Sequence, residues 1–191
     1  MLFRSRVLQD IPIVAADVVA LIALMEHSFP AVSIGLYAGK DWHVAQRNQW
    51  VELEASITGE TPLVTDFEAF LAQKPVVHKF LLIGEEADST QLLAFLQEQD
   101  FPETSFYLSK ANYLEITHRS VSKGHALSLL ADMHGLSMEE TLAFGDHFND
   151  LSMLKAAGVG VAMGNAPQAV REAADEVTAD NHHNGVSLYL E

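Results

Sequence analysis

The chain has 191 residues, 49% of them hydrophobic, no cysteine and a formal net charge of -15. That much apolar mass excludes wholesale disorder, and the acidity disfavours nucleic-acid backbones and anionic membrane surfaces as partners. Disulfides, thiol catalysis and thiolate metal centres are excluded outright.

Met1-Leu2-Phe3-Arg4-Ser5-Arg6 is followed by acidic Asp10 and Asp17, which a signal peptide would not tolerate. No apolar run approaches the ~20 residues needed to span a bilayer, so the expectation is a cytoplasmic protein. Val18, Leu21, Ile22 and Met25 fall at helical spacing, with Phe29 one turn further, and predict an amphipathic helix closed by Pro30. Val32 to Tyr37 and Trp42 to Ala45, around the turn Ala38-Gly39-Lys40-Asp41, predict a β-hairpin. Asn48 to Ile57 is helix-compatible, and a short helix is expected from Asp66 to Leu71. Val76 to Ile83 is apolar at nearly every position, as a strand central in its sheet would be. Leu92, Phe95 and Leu96 supply the stripe of the next helix, and Ser105 to Leu108 and Tyr113 to Thr117 predict two adjacent strands. This first part, 7–118, reads as an α+β unit with an antiparallel sheet. Trp42 and Trp50 read there as packing residues.

The pattern changes near Arg119. Ser122 is placed to cap a helix that buries Leu127, Leu130 and Ala131 and ends at Gly135. Ser137 to Glu140 has capping-box form with room for little more than one turn. Thr141 to Phe144 predicts a short buried strand, followed by a helix with Leu151 and Leu154 inward. Strand Val159 to Met163, a helix opened by Pro167, a short strand around Val177 and a helical turn after Gly185 complete the chain. This βαβα alternation over 119–191 predicts a parallel sheet with covering helices.

The candidate chemistry lies in Phe144-Gly145-Asp146-His147-Phe148-Asn149-Asp150. Asp146 sits at the C-terminal end of a strand, where open α/β sheets place ligands. Asp146, Asn149 and Asp150 supply oxygens suited to a hard cation such as Mg²⁺, or equally an Asx turn that caps the following helix. Lys123 stands at a helix N-terminus, locally unfavourable for a cation unless it holds an anion there, although a lone lysine also reads as a surface charge. His147 reads as a loop residue beside the site, and His182-His183 as an exposed pair on a polar loop.

Taken together, Val121-Ser122-Lys123-Gly124, the run 144–150, Met153-Leu154, Val161-Ala162-Met163-Gly164-Asn165-Ala166, Ala173-Ala174-Asp175-Glu176-Val177-Thr178 and Asn184-Gly185-Val186 closely resemble Cof-type phosphatases of the haloacid dehalogenase (HAD) superfamily. The resemblance implies an α/β fold: the C-terminal part of a HAD-like Rossmannoid parallel sheet with helices, preceded by an α+β type IIB cap. It implies Mg²⁺-dependent hydrolysis of small phosphorylated metabolites through an aspartyl-phosphate. Carried over, Lys123 would contact phosphate, Asp146 would bind Mg²⁺, Asn149 would contact substrate or phosphate, Asp150 would support the metal shell, and Asn165 would help orient it. The family's opening Asp-x-Asp-Gly-Thr strand has no counterpart, since no Asp-x-Asp occurs in the chain, and Met1 to Arg6 match nothing in the pattern. The expectation is therefore a truncated, inactive form. A non-catalytic phosphate- or metal-binding or regulatory fragment, or a phosphomutase of the superfamily, are the alternatives. Oligomeric state has no signature in the sequence.

Overall fold

Asn48 and Asp66 show most directly how local sequence sets an element here. In the computed structural model, which describes Val7 and residues 9–191, the Asn48 side chain accepts hydrogen bonds from the N–H groups of Trp50 and Val51 and starts helix α2 (Gln49–Thr58). Asp66 accepts from Ala69 N–H and starts α3 (Phe67–Ala72). Each side chain satisfies donors that the first helical turn leaves unpaired. Gly59, at φ 75°, closes α2 in the left-handed conformation that glycine adopts without strain.

Contacts divide the described residues into two compact units, which part between Arg119 and Ser120. Arg119 stays with the first, its N–H bonded to Glu103 O and its guanidinium to Pro102 O, both at 2.8 Å.

In the first unit, α1 (Ala15–Ser28) buries Val18, Leu21, Ile22 and Met25, the face its periodicity predicts. Strands β1 (Ser33–Ala38) and β2 (Asp41–Val44) form the expected hairpin. Strand β4 (Val77–Ile83) lies between β1 and β6 (Tyr113–His118), antiparallel to both, and β5 (Thr104–Lys110) pairs with β6. With β3 (Leu63–Val64) at one edge, the sheet order is β3-β2-β1-β4-β6-β5. Its alternate side chains serve two faces. Leu36, Phe80, Leu82, Leu114 and Ile116 enter the main core with α1 and with Leu92 and Leu96 of α4 (Glu86–Gln97). On the other face Leu81, Ile83 and Tyr113 form a second cluster, and Val51 of α2 covers Trp42 and Val44. Double coverage explains why β4 is apolar at nearly every position. Phe80 and Leu82 are fully buried, each stabilising the fold by about 1.5–3 kcal/mol. One element departs from the antiparallel expectation. Strand β3 (Leu63–Val64) pairs parallel to β2, and both its residues are exposed. Two exposed residues carry no burial pattern, so periodicity could not find it.

The second unit is built on three parallel strands, in order β7 (Leu142–Gly145), β8 (Val159–Ala162), β9 (Glu176–Val177). They alternate with α5 (Lys123–His134), α6 (Leu151–Ala156), α7 (Gln168–Ala173) and α8 (Gly185–Leu190). Val161 and Ala162 of β8 are fully buried, and Ala162 joins Leu154, Ala166 and Val170 in the core. Ser122 caps α5 by accepting from His125 N–H, and Gly135 ends it at φ 68°.

Two burial expectations fail. Leu130 is 46% exposed and Leu142 39%. The inward face of α5 is Gly124 and Ala131, with Leu127 half-buried, which leaves Leu130 about 100° off that line. Leu142 begins an edge strand, with a neighbour on one side among the described residues.

No helix among the described residues is long and apolar enough to cross a membrane.

Candidate active site

Glycines bring the parts of the site together by letting backbone approach backbone. A Cβ on Gly124, in the first turn of α5, would stand 2.5 Å from the Ser152 carbonyl oxygen, so the start of α5 rests directly on α6. Gly124 N–H also donates to Ser152 Oγ at 3.2 Å. A Cβ on Gly145, the last residue of β7, would stand 2.5 Å from Asp150 Cβ. The chain therefore turns so tightly after β7 that Asp150 folds back over the strand end. Both contacts put Lys123, the residue before Gly124, next to Asp150.

The Lys123 ammonium forms an ion pair with Asp150 Oδ1. Asp150 Oδ2 accepts from the N–H groups of Asp146 at 2.8 Å and His147 at 3.1 Å. The Asp150 side chain is 5% exposed and so needs these partners. Burial by itself raises the Asp150 pKa. The Lys123 hydrogen bond and the two backbone donors outweigh it, and the group is held below the ordinary carboxylate value. Asp150 thus ties the 144–150 loop to the head of α5. The Lys123 side chain is 51% exposed. An ammonium has three donors, so those beyond the Asp150 bond can reach a ligand.

Asp146 follows the end of β7 and is exposed. Its Oδ2 accepts from Asn165 Nδ2 at 3.2 Å. Asn149 lies half-buried in the 3-10 turn Phe148–Asp150. The five residues singled out from sequence thus lie within the second unit. Lys123 and Asp150 pair directly, Asp146 meets Asp150 through its main chain, and Asn165 reaches Asp146. Among the described residues the buried His147 Nδ1 has no hydrogen-bond partner, and the ring stands edge-on to Phe148 at 5.3 Å. His183 pairs with Asp180 at 2.6 Å. Sequence reasoning missed Ser152 and the main chain of Asn181, which donates to Asn165 Oδ1 at 3.1 Å. Neither stands out in the sequence, because their part depends on contacts between segments far apart in the chain.

Asp146 offers an exposed carboxylate oxygen, the ligand type Mg²⁺ prefers. Among the described residues no group of three His, Asp or Glu side chains could hold a metal ion. Such an ion would take Asp146 from this chain and complete its shell with water, phosphate and further oxygens, a usual arrangement for Mg²⁺.

A sequence profile for haloacid dehalogenase-like hydrolases matches residues 3–190. The span includes Phe3 to Arg6, which the motif reading left unmatched and which lie outside the described residues. A protein of Haemophilus influenzae that bears a phosphatase's name is 40% identical over 169 residues, 88% of this chain and 62% of its own. A haloacid dehalogenase-like hydrolase from Bacteroides thetaiotaomicron superposes with a TM-score of 0.79 at 29% identity, covering 94% of this chain and 66% of that one. The subclass IIB sugar phosphatase BT4131 gives a TM-score of 0.78 at 25% identity, over 94% of this chain and 66% of its own. The chain therefore spans about three-fifths of the length of the Haemophilus relative.

Proposed function

Since this chain belongs to the haloacid dehalogenase-like hydrolase family, we propose that it supplies the type IIB cap and the lysine- and cation-binding part of the core of a Mg²⁺-dependent phosphatase. Its substrates are small phosphorylated metabolites, sugar phosphates foremost; the likeness to a subclass IIB sugar phosphatase supports that class. The same reading places the protein in the cytoplasm, with a small metabolite rather than nucleic acid or membrane as its partner.

The observation that carries it is the triad of Lys123, Asp150 and Asp146. Phosphoryl transfer demands positioning and charge neutralisation more than covalent chemistry. Asp150 keeps the Lys123 ammonium at the head of α5, where it offsets phosphate charge. The Asp146 carboxylate would hold Mg²⁺, which when bound neutralises phosphate oxygens. Asn149, in the turn between them, would hydrogen-bond phosphate or substrate, and Asn165 orients Asp146. Asp150 supports the cation indirectly, because its oxygens already serve Lys123 and two N–H groups.

Hydrolysis through an aspartyl-phosphate also needs a carboxylate nucleophile in line with phosphorus and a second carboxylate to protonate the leaving oxygen. No Asp-x-Asp occurs in these 191 residues. By themselves they would bind phosphate and cation without turnover, which also accommodates a non-catalytic binding role. The test is Mg²⁺-dependent hydrolysis of an aryl phosphate by the chain alone and by the chain extended with a family-type Asp-x-Asp-Gly-Thr segment. The extended protein should turn over and the chain alone should not. Equal turnover by both, abolished by Asp146→Asn, would require a nucleophile among the present residues.

A further inference from the structure

One hydrogen-bonded chain runs through the loops that follow the three strands of the second unit. Asp146 follows β7, Asn165 follows β8 and Asn181 follows β9. Asn165 Nδ2 donates to Asp146 Oδ2 at 3.2 Å, while Asn165 Oδ1 accepts from Asn181 N–H at 3.1 Å. A carboxylate only accepts and a main-chain N–H only donates, so an amide side chain between them has one orientation that satisfies both.

The far end of this chain is itself held. Asp180 Oδ1 accepts from the N–H groups of His182 and His183, each at 2.9 Å, and lies 2.6 Å from His183 Nδ1. Gly164 N–H donates to Ala179 O at 3.2 Å. A Cβ on Gly164 would stand 2.9 Å from Asp180 N, and one on Gly185 would stand 2.0 Å from Ala179 O. Glycine at 164 lets the loop after β9 lie directly on the loop after β8, and glycine at 185 lets the start of α8 close back on the loop after β9.

We propose that Asn181, through its main-chain N–H, and Asn165 form a positioning relay for Asp146. It rests on the reading of Asp146 as an oxygen ligand for a hard cation. Asp146 is exposed, and an unrestrained carboxylate there would rotate freely. Clamping Oδ2 presents the other oxygen in one direction, so the ordering cost of binding is met by the fold before the cation arrives. Asn165 carries the clamp, and Asn181 fixes Asn165.

The relay has a selective cut. Asn181 is the first residue of the 3-10 turn Asn181–His183, a position where proline is well tolerated. Asp180 precedes it at φ -74° and ψ 176°, the extended conformation that proline requires of its predecessor. Asn181→Pro therefore deletes the N–H and leaves the backbone path in place.

The experiment compares wild type, Asn181→Pro, Asn165→Ala and Asp146→Asn by carboxyl ¹³C NMR of the full chain, with Mg²⁺ as the probe. Asp146→Asn identifies the Asp146 signal. Without metal, Asn181→Pro and Asn165→Ala should move that signal in the same direction and leave the Asp150 carboxyl where it is. The Mg²⁺ midpoint at Asp146 should weaken about five-fold in each, the net worth of roughly one hydrogen bond. An Asp146 signal unmoved by Asn181→Pro overturns the relay, and so does an equal displacement of Asp146 and Asp150, which marks a general loss of structure. If the wild-type Asp146 carboxyl ignores Mg²⁺, the cation reading of Asp146 fails. The metal-free signals still decide whether Asn181 positions it.

Discussion

Replacing Asp150 with alanine should be the most damaging single change in the second unit outside its apolar core. The substitution removes the ion pair to Lys123 and orphans the N–H groups of Asp146 and His147. Hydrogen bonds to a charged group contribute about 1.5–3 kcal/mol each. The Lys123 pair adds less, because half of that side chain is in water. The expected loss is about 3–5 kcal/mol, comparable with breaking a buried ion pair from one side. A unit of this size has a total stability of only about 4–10 kcal/mol, so the variant should sit near its unfolding threshold. Urea denaturation followed by amide hydrogen exchange over β7 and β8 measures the loss, with β4 of the first unit as internal reference. Lys123→Met should cost about 1 kcal/mol, because both backbone donors keep their acceptor. A loss below about 1 kcal/mol for Asp150→Ala would refute the argument that this carboxylate anchors the loop. So would equal losses for the two variants, which would place the energy in the ion pair instead.

The same carboxylate predicts a pH dependence. Its folded-state pKa is depressed, so its contribution is complete above the unfolded value of about 4 and is lost as pH falls through the lower folded value. Acid unfolding of the second unit should therefore become less steep below about pH 4 in Asp150→Asn, and a slope unchanged from wild type contradicts that assignment. Gly124→Ala places a Cβ 2.5 Å from the Ser152 carbonyl oxygen and should cost about 1–3 kcal/mol of stability. It should also shift the Lys123 side-chain NMR signals, and wild-type stability and signals would mean that α5 does not rest on α6 as described. In the first unit, Asn48→Ala should cost about 1 kcal/mol by uncapping α2, measured by thermal unfolding. Amide exchange should be slower over β4, paired on both edges within a six-stranded sheet, than over β8 within its three strands; the reverse order would show the smaller sheet to be the more stable one.

Much of this protein was legible without coordinates, for a local reason. Helix caps, turn glycines and burial stripes act within a few residues of one another. Hence Ser122 announces its helix, Gly39 its hairpin, and Val18 to Met25 a buried face. The Gly145 to Asp150 run carries the family resemblance because the tight turn and its oxygens are contiguous. Only the tertiary structure decided what those oxygens do. Asp150 is a plain carboxylate in sequence, and becomes an anchor because Gly124 and Gly145 let α5, α6 and the end of β7 approach within backbone contact. The exposure of Leu130 depends on which helix face finds a neighbour, and β3 on an edge that happens to be free. Asn181 acts through a main-chain N–H that every residue but proline possesses, so nothing in its identity could mark it. Short-range preferences are written residue by residue, whereas the partners of a buried charge are chosen by how distant segments pack, and a linear pattern does not encode that choice.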